Sequence, residues 1–474
     1  MNPQINNNIN CSPVALDPQI FRAYDIRGIV DEQLDGQGIE LIGKALASLA
    51  LEAGERTVLF GSDARLSSPL LREPLLRGML STGMNVVDMG TIPTPLLYFA
   101  TYNSEWHSGL MLTASHNPAI YNGIKIVRQR TCLTPEQIQQ IRVRAELGQF
   151  RQGAGSLVKK DFRDAYLDRL QHDISLARPL KLVVDCANAV PALIAPALFE
   201  RLGCTVIPLF CELDGSFPHH PPDPTIANNL EALIAVVRNS KADLGIAFDG
   251  DGDRVVIVTN AGNIIDTDRL LMLFIKDILP LYDQPNVVFD VKCSALLSQL
   301  ITDYGGKPIM SRSGHSFMKE TMQRSAAVVG AELSAHIFIK DRWYGYDDGI
   351  YAAARFLELV SNQPASVETL LQSLPQSVVT PELRIEVSDE RKFQLMERIK
   401  KLALFPQGKI NIMDGIRVDF PDGWGLIRAS NTTPALLLRF EASSHQSLQI
   451  IQALFRDLLQ HVDRHLVFDF FDPL

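Results

Sequence analysis

The sequence predicts an α/β protein: three repeated α/β/α domains with mixed sheets, followed by a smaller C-terminal α+β domain, around a central cleft. Three observations predict it. An apolar strand ending at an aspartate, a helical stretch and a glycine that introduces another strand recur three times. Each recurrence closes with a further apolar strand that runs into an unusual polar loop. The chain beyond about residue 376 then abandons this rhythm for closely spaced strands and two helical patterns.

The three units are Val58 to Asp63 with Gly83, Lys181 to Asp185 with Gly203, and Val287 to Asp290 with Gly305. The aspartate-to-glycine separations of about 15 to 20 residues leave room for a loop and a crossover helix, as a right-handed parallel βαβ unit requires. The closing strands lead into Thr113 to Pro118, Asp249 to Arg254, and Glu332 to His336. In open α/β sheets ligands gather at the carboxyl ends of strands, so three domains are expected to offer one loop each to a shared cleft. In the last stretch Leu383 to Val387, Arg417 to Phe420, Gly425 to Ala429 and Ala435 to Glu441 read as strands. Glu390 to Leu404 and Ser447 to Leu459 read as helices. The expected division is a disordered lead-in over 1–12, then domains over 13–159, 160–261, 262–375 and 376–474.

At 474 residues the chain exceeds a single ordinary core, and its length suggests roughly three to four domains. With 46% apolar and 21% charged residues it reads as globular. The formal charge of −9 argues against a general nucleic-acid or anionic-membrane partner. No apolar run approaches the ~18 residues of a membrane span. Met1 to Asn10 is Asn-rich and lacks the basic and apolar regions of a signal peptide. The six cysteines (Cys11, Cys132, Cys186, Cys204, Cys211 and Cys293) form no CxxC pair, which suits reduced thiols in a cytoplasmic protein.

The most informative motif is Asp249-Gly250-Asp251-Gly252-Asp253-Arg254. Three carboxylates at alternate positions repel one another unless a cation neutralises them, and the glycines let the loop fold so that they converge. Oxygen ligands suit Mg2+ or Ca2+. An EF-hand calcium loop needs glycine sixth and glutamate twelfth; here those positions are Arg254 and Asn260, so Mg2+ is the expected ion. The flanks, Leu244 to Phe248 and Val255 to Thr259, read as buried strands.

Ser115 follows the strand Ser108 to Thr113, and Asn122-Gly123 signals a hairpin turn that returns Lys125 toward it. A hydrolase nucleophile elbow would need glycines where Thr113 and Asn117 stand, so acyl transfer is not supported. A serine beside a lysine and facing a metal loop fits phosphoryl transfer. Arg428 to Thr433 combines a guanidinium with hydroxyls, an amide and loop N–H groups, suited to clasping a phosphate. Glu332, Ser334 and His336 alternate along what reads as one extended segment, so their side chains would face one way, toward sugar hydroxyls. His219-His220 lacks partners at metal-ligand spacing and is read as structural.

Phe21 to Gly28, the serine loop, the aspartate run, Gly314-His315-Ser316, Glu332 to His336, Arg342 to Gly349 and Arg428 to Pro434 together resemble the α-D-phosphohexomutase superfamily, in order and over nearly the whole chain. The sugar loop is closest to the phosphomannomutase/phosphoglucomutase group, with Leu333 replacing methionine. The resemblance implies a heart-shaped four-domain enzyme with phosphoserine at Ser115 and Mg2+ on Asp249, Asp251 and Asp253 beside Ser115. It places sugar hydroxyls on Glu332 and Ser334, and the substrate phosphate near Arg428, Ser430, Asn431 and Thr432. Tyr24, Arg27, Lys125, Arg254, Lys292, His315 and His336 match positions that bind substrate or assist proton transfer, with Arg27, Lys125 and His336 counted as catalytic.

The implied activity interconverts hexose 1-phosphate and hexose 6-phosphate, of mannose or glucose, through a hexose 1,6-bisphosphate that also serves as activator. The implied enzyme is a monomer. A phosphoglucosamine mutase, a Mg2+-dependent sugar phosphatase and a non-catalytic sugar-phosphate sensor are the alternatives. Ala331 and Ala335 stand where the family has glycine, as do Ala64, Ala187 and Ala189, and Ala295 stands where arginine is usual. Alanine stabilises where φ is negative and costs energy where it is positive.

Overall fold

The computed structural model describes residues 16–466 apart from residues 431 and 432, so the lead-in expected over 1–12 lies outside the described residues. The threefold pattern becomes three sheets with one connectivity. In the first, Thr57–Ser62 lies between parallel neighbours Asn85–Thr91 and Gly109–Leu112, and the latter returns antiparallel as Tyr121–Arg128. In the second, Lys181–Asp185 lies between Thr205–Leu209 and Leu244–Phe248, with Val255–Thr259 returning. In the third, Asn286–Asp290 lies between Lys307–Ser311 and Val329–Glu332, with His336–Ile339 returning. Helices Ser68–Leu80, Ala195–Arg201 and Leu296–Asp303 make the crossovers. The repeated glycines lie just past these helices with φ of +94°, +88° and +75°, the left-handed conformation that ends a helix without a Cβ penalty.

The fourth sheet is antiparallel, with Leu383–Glu386 beside Ala435–Ala442, which continues through Gly423–Ala429 and Ile416–Phe420 to Lys409–Asn411. Helices Asp389–Leu402 and His445–Val462 accompany it, and a separate apolar core joins the helices to the sheet. By contrast, one continuous core runs through the first three sheets, from Phe99 through Phe199 and Phe248 to Phe289 and Phe356. The fourth sheet is tied to the third by the buried Arg417, which donates to the carbonyls of Val291 and Cys293 at 2.6 and 2.9 Å and lies over the Trp424 ring.

Two local expectations are corrected. Asn122-Gly123 forms no hairpin turn. Both residues lie inside strand Tyr121–Arg128, opposite Gly28 and Arg27, and the connection is made by residues 113–120. The glycine is needed because a Cβ there would sit 2.2 Å from the Ile26 carbonyl oxygen. Glu332 to His336 is also not one extended segment. It is a tight hairpin in which Glu332 and His336 are paired across antiparallel strands and Ala335 sits at φ +74°. Cross-strand partners share a face, so Glu332 and His336 still point the same way, by pairing rather than by alternation.

Candidate active site

The serine loop begins where strand Gly109–Leu112 ends. Thr113 donates its hydroxyl to Asp63 at 2.7 Å and accepts the Ser115 N–H at 2.9 Å. Ser115 is thereby held at φ +51°, a strained conformation for a residue with a Cβ. Its Oγ donates to Asp249 Oδ2 at 2.8 Å and lies 3.1 Å from His116 Nδ1. The metal loop comes this close because residue 250 is glycine; a Cβ there would lie 2.3 Å from the Ser115 carbonyl oxygen.

The aspartate run joins antiparallel strands Leu244–Phe248 and Val255–Thr259, as the sequence predicts. Asp249, Asp251 and Asp253 are fully buried, and each offers an oxygen within 4.8 Å of the others. Asp249 Oδ1 accepts the N–H groups of Gly252 and Arg254 at 3.0 and 3.2 Å. Asp251 Oδ2 takes hydrogen bonds from Thr94 Oγ1 and Lys125 Nζ, and Asp253 Oδ2 takes one from Lys125. Asp251 Oδ1 and Asp253 Oδ1 accept no hydrogen bond, so the triad keeps buried oxygen ligands available for a hard cation. The charges show the same strain. Burial, reinforced by Asp251 and Asp253, pushes the Asp249 carboxyl well above the carboxylate range. Burial also opposes the Lys125 ammonium, but Asp251 and Asp253 outweigh it and hold that group well above the lysine range.

Around this floor the other predicted residues converge. Arg27 donates to Asp25 and to Asn117 of the serine loop, each at 2.6 Å. Tyr24 stands edge-on to His315, with ring centroids 4.7 Å apart, and burial raises its hydroxyl pKa. Arg254 Nε donates to His336 Nε2 at 3.2 Å. That bond requires an unprotonated Nε2. The Nδ1 atoms of His336 and His315 lie 3.2 and 3.4 Å from Asp347. Lys292 Nζ lies 3.6 Å from Asp290 and 3.9 Å from Glu332. Glu332 Oε2 and Ser334 Oγ are buried without hydrogen-bond partners, as is Nη2 of Arg428. Arg428 is oriented by Asp414 at 3.1 Å, and Ser430 Oγ accepts from Thr433. Asn431 and Thr432 lie outside the described residues.

A cleft of about 480 Å3 is lined by Tyr24, Arg27, Ser115, Lys125, Arg254, Lys292, His315, Glu332, Ser334, His336, Arg428 and Ser430. All four sheets thus supply residues to one space.

Sequence reasoning missed Arg65, Thr94, Asp347 and Asp414. Asp347 lies inside Arg342 to Gly349, and Arg65 stands two residues after a strand-ending aspartate, so position could have flagged both. Thr94 and Asp414 carry no local signal; only tertiary contact brings them to Asp251 and Arg428.

A serine hydrogen-bonded to a buried acid triad, in a cleft shared by four α/β and α+β units, defines an enzyme of the phosphomutase class. Family models for phosphoglucomutase/phosphomannomutase match the whole succession: alpha/beta/alpha domain I over 18–152, domain II over 164–262, domain III over 266–378 and the C-terminal domain over 382–458. The chain belongs to the phosphoglucomutase/phosphomannomutase family. It is 48% identical over 451 residues to a phosphomannomutase/phosphoglucomutase of Pseudomonas aeruginosa, covering 95% of this chain and 97% of that one. It is 44% identical over 454 residues to a phosphoglucomutase of Neisseria gonorrhoeae, covering 94% and 98%. The crystal structure of a phosphoglucomutase/phosphomannomutase family protein from Burkholderia thailandensis superposes with a TM-score of 0.91 at 40% identity, over 96% of this chain and all of that one.

Proposed function

We propose that the chain interconverts hexose 1-phosphate and hexose 6-phosphate, with mannose or glucose as the sugar, through phosphorylated Ser115 and a hexose 1,6-bisphosphate. The observation that carries this reading is the 2.8 Å contact of Ser115 Oγ with Asp249, over a buried triad that retains unpartnered oxygens. A Mg2+ held by Asp249, Asp251 and Asp253 would offset the negative charge of a phosphoryl group on Ser115.

In the first half-reaction the bond from phosphorus to Ser115 Oγ breaks and a bond to the free sugar hydroxyl forms. The hydroxyl proton passes to a base, for which His336 is the candidate. Lys125, held as an ammonium, supplies the proton for the Ser115 oxygen as it departs. Glu332 and Ser334 take adjacent sugar hydroxyls; Arg428 and Ser430, with Asn431 and Thr432, take the phosphate that does not react. Tyr24, Arg27, Arg254, Lys292 and His315 complete the walls and hold the sugar in place. The bisphosphate then turns so that its other phosphate returns to Ser115, and free bisphosphate serves as activator by phosphorylating an unmodified enzyme. The enzyme acts as a cytoplasmic monomer.

A coupled assay with mannose 1-phosphate and glucose 1-phosphate, primed with glucose 1,6-bisphosphate and Mg2+, should show turnover that disappears in Ser115→Ala. The purified protein should carry one phosphoryl group by intact mass and lose it on addition of hexose monophosphate. Stoichiometric release of inorganic phosphate would instead mark a phosphatase. Faster turnover on glucosamine 6-phosphate would mark a phosphoglucosamine mutase.

A further inference from the structure

Arg65 is fully buried and lines no part of the cleft, yet every N–H of its guanidinium is used. Nε donates to Asp63 at 3.1 Å. One terminal nitrogen donates to the carbonyls of Pro118 at 2.7 Å and Tyr121 at 3.1 Å. The other donates to the carbonyls of Ser115 and Asn117, both at 2.7 Å. Five donors thus meet five acceptors, three of them backbone oxygens of the loop that carries Ser115 and a fourth at the start of the strand that follows it. The ring of Phe217, from the second α/β unit, lies 5.1 Å from the guanidinium carbon, and Gly215 forms a bridge to Arg65 itself.

Burying a guanidinium that touches a single carboxylate is costly unless its hydrogen bonds are complete. Here they are complete only while the serine loop keeps its present shape. Asp63 links the same clamp to the strand end. Its Oδ2 accepts from both Arg65 and Thr113, and Thr113 in turn accepts the Ser115 N–H. Ser115 is consequently gripped at its N–H and at its carbonyl oxygen, the two handles that fix φ +51° and aim Oγ at Asp249. A lysine could keep the charge but offers three donors from one point, not a planar fork that spans four carbonyls.

We infer that Arg65 is the positioning residue for the Ser115 nucleophile, setting the serine oxygen against the metal loop while touching neither substrate nor cation. The inference rests on the phosphoserine reading above. It concerns the transfer step and not substrate affinity, because the residues assigned to the sugar and its distal phosphate lie on other loops.

The test is Arg65→Lys in the full chain. Displacing a reacting oxygen by about 1 Å costs about 10²-fold in rate. The variant should therefore lose kcat by about that factor with KM for glucose 1-phosphate nearly unchanged, and burst phosphorylation by glucose 1,6-bisphosphate should slow in parallel. Amide hydrogen exchange should rise over residues 113–119 alone. A folded variant with wild-type kcat and wild-type exchange in that loop would overturn the assignment, as would a rise in KM with kcat intact. If Arg65→Lys does not fold, Thr113→Val decides the question, since it removes the other handle on Ser115 and should give the same kcat loss and loop exchange. A wild-type protein without mutase turnover would refute the phosphoserine reading, whereas the exchange pattern would still report whether Arg65 holds the loop.

Discussion

Ser115 Oγ and Asp249 Oδ2 meet at 2.8 Å although 134 residues separate them in sequence, and the contact joins the first α/β unit to the second. The carboxylates behind Asp249 have little to offset them: Lys125 reaches Asp251 and Asp253, while one oxygen of each has no hydrogen-bond partner and that of Asp253 lies 3.6 Å from His336 Nδ1.

Asp251→Asn should therefore slow phosphoryl transfer severely while leaving the protein folded. Loss of metal-assisted charge stabilisation, worth several kcal/mol, corresponds to about a 10³-fold fall in kcat. Binding of hexose phosphate through Arg428 should persist. The wild-type unfolding temperature should rise with added Mg2+, because an ion at about 100 times its dissociation constant adds about 2.7 kcal/mol to the native state. That rise should vanish in the variant. Calorimetric scans with and without Mg2+ check it, and an equal rise in both proteins would place the ion elsewhere.

The alanines that replace the family's glycines divide by backbone conformation. Ala335 has φ +74° and Ala187 φ +49°, so each carries left-handed strain of about 1–2 kcal/mol. Ala331 lies in a regular strand and Ala189 has φ −116°, where alanine restricts the unfolded chain without strain. Ala335→Gly should raise the stability read by thermal unfolding, by about 0.5–1 kcal/mol after the entropic loss of about 0.4–1 kcal/mol is deducted. Ala331→Gly should lower it by a similar amount. Shifts of the same sign in both variants would show that packing, not φ, decides.

This division could not be read from the sequence, since Ala331 and Ala335 are four residues apart and chemically identical. What the sequence does carry is whatever repeats along the chain. The strand that ends at an aspartate, the crossover helix and the glycine past it reappear in all three sheets because each depends on local periodicity and helix termination. The aspartate run is legible for the same reason: its spacing alone puts three carboxylates in one tight loop. The hairpin at Glu332–His336 and the strand position of Asn122-Gly123 are not legible in the sequence because cross-strand neighbours decide both. Arg65 has no pattern of its own. Its role appears only when the carbonyls of Ser115, Asn117, Pro118 and Tyr121 are folded around it.

Asp348, next to Asp347, gives the stability a pH dependence. Burial pushes its carboxyl up to about 7, against the hydrogen bonds it accepts from Tyr351 N–H, Tyr166 OH and Trp343 Nε1. The unfolded value is about 3.9, so the native state retains a proton that the unfolded chain has released. This contribution to stability is complete below about pH 4 and is lost, at about 1.4 kcal/mol per unit, as pH rises through 7. Asp348→Asn is neutral throughout and keeps an acceptor for the Tyr351 N–H. Its stability relative to wild type should therefore improve by about 2–3 kcal/mol between pH 5 and pH 8. Chemical denaturation at both pH values measures it, and a constant difference would mean that Asp348 is ionised across the range.

Glu332 and Ser334 place polar atoms in the cleft that no protein group uses. Glu332 Oε2 and Ser334 Oγ line the cleft and have no hydrogen-bond partner within the protein. A sugar with two adjacent hydroxyls at that loop would satisfy both. Ser334→Ala should accordingly leave the free enzyme as stable as wild type or more so, while lowering kcat/KM for glucose 1-phosphate and mannose 1-phosphate by about tenfold, the equivalent of one hydrogen bond of about 1.4 kcal/mol. Glu332→Gln keeps the shape and removes the charge, and should lower kcat/KM further because hydrogen bonds to a charged group are the stronger ones. Thermal unfolding without substrate and steady-state kinetics on both sugars distinguish a binding role from a structural one. If Ser334→Ala destabilised the protein yet left kcat/KM unchanged, the hydroxyl would be serving the hairpin and not the sugar.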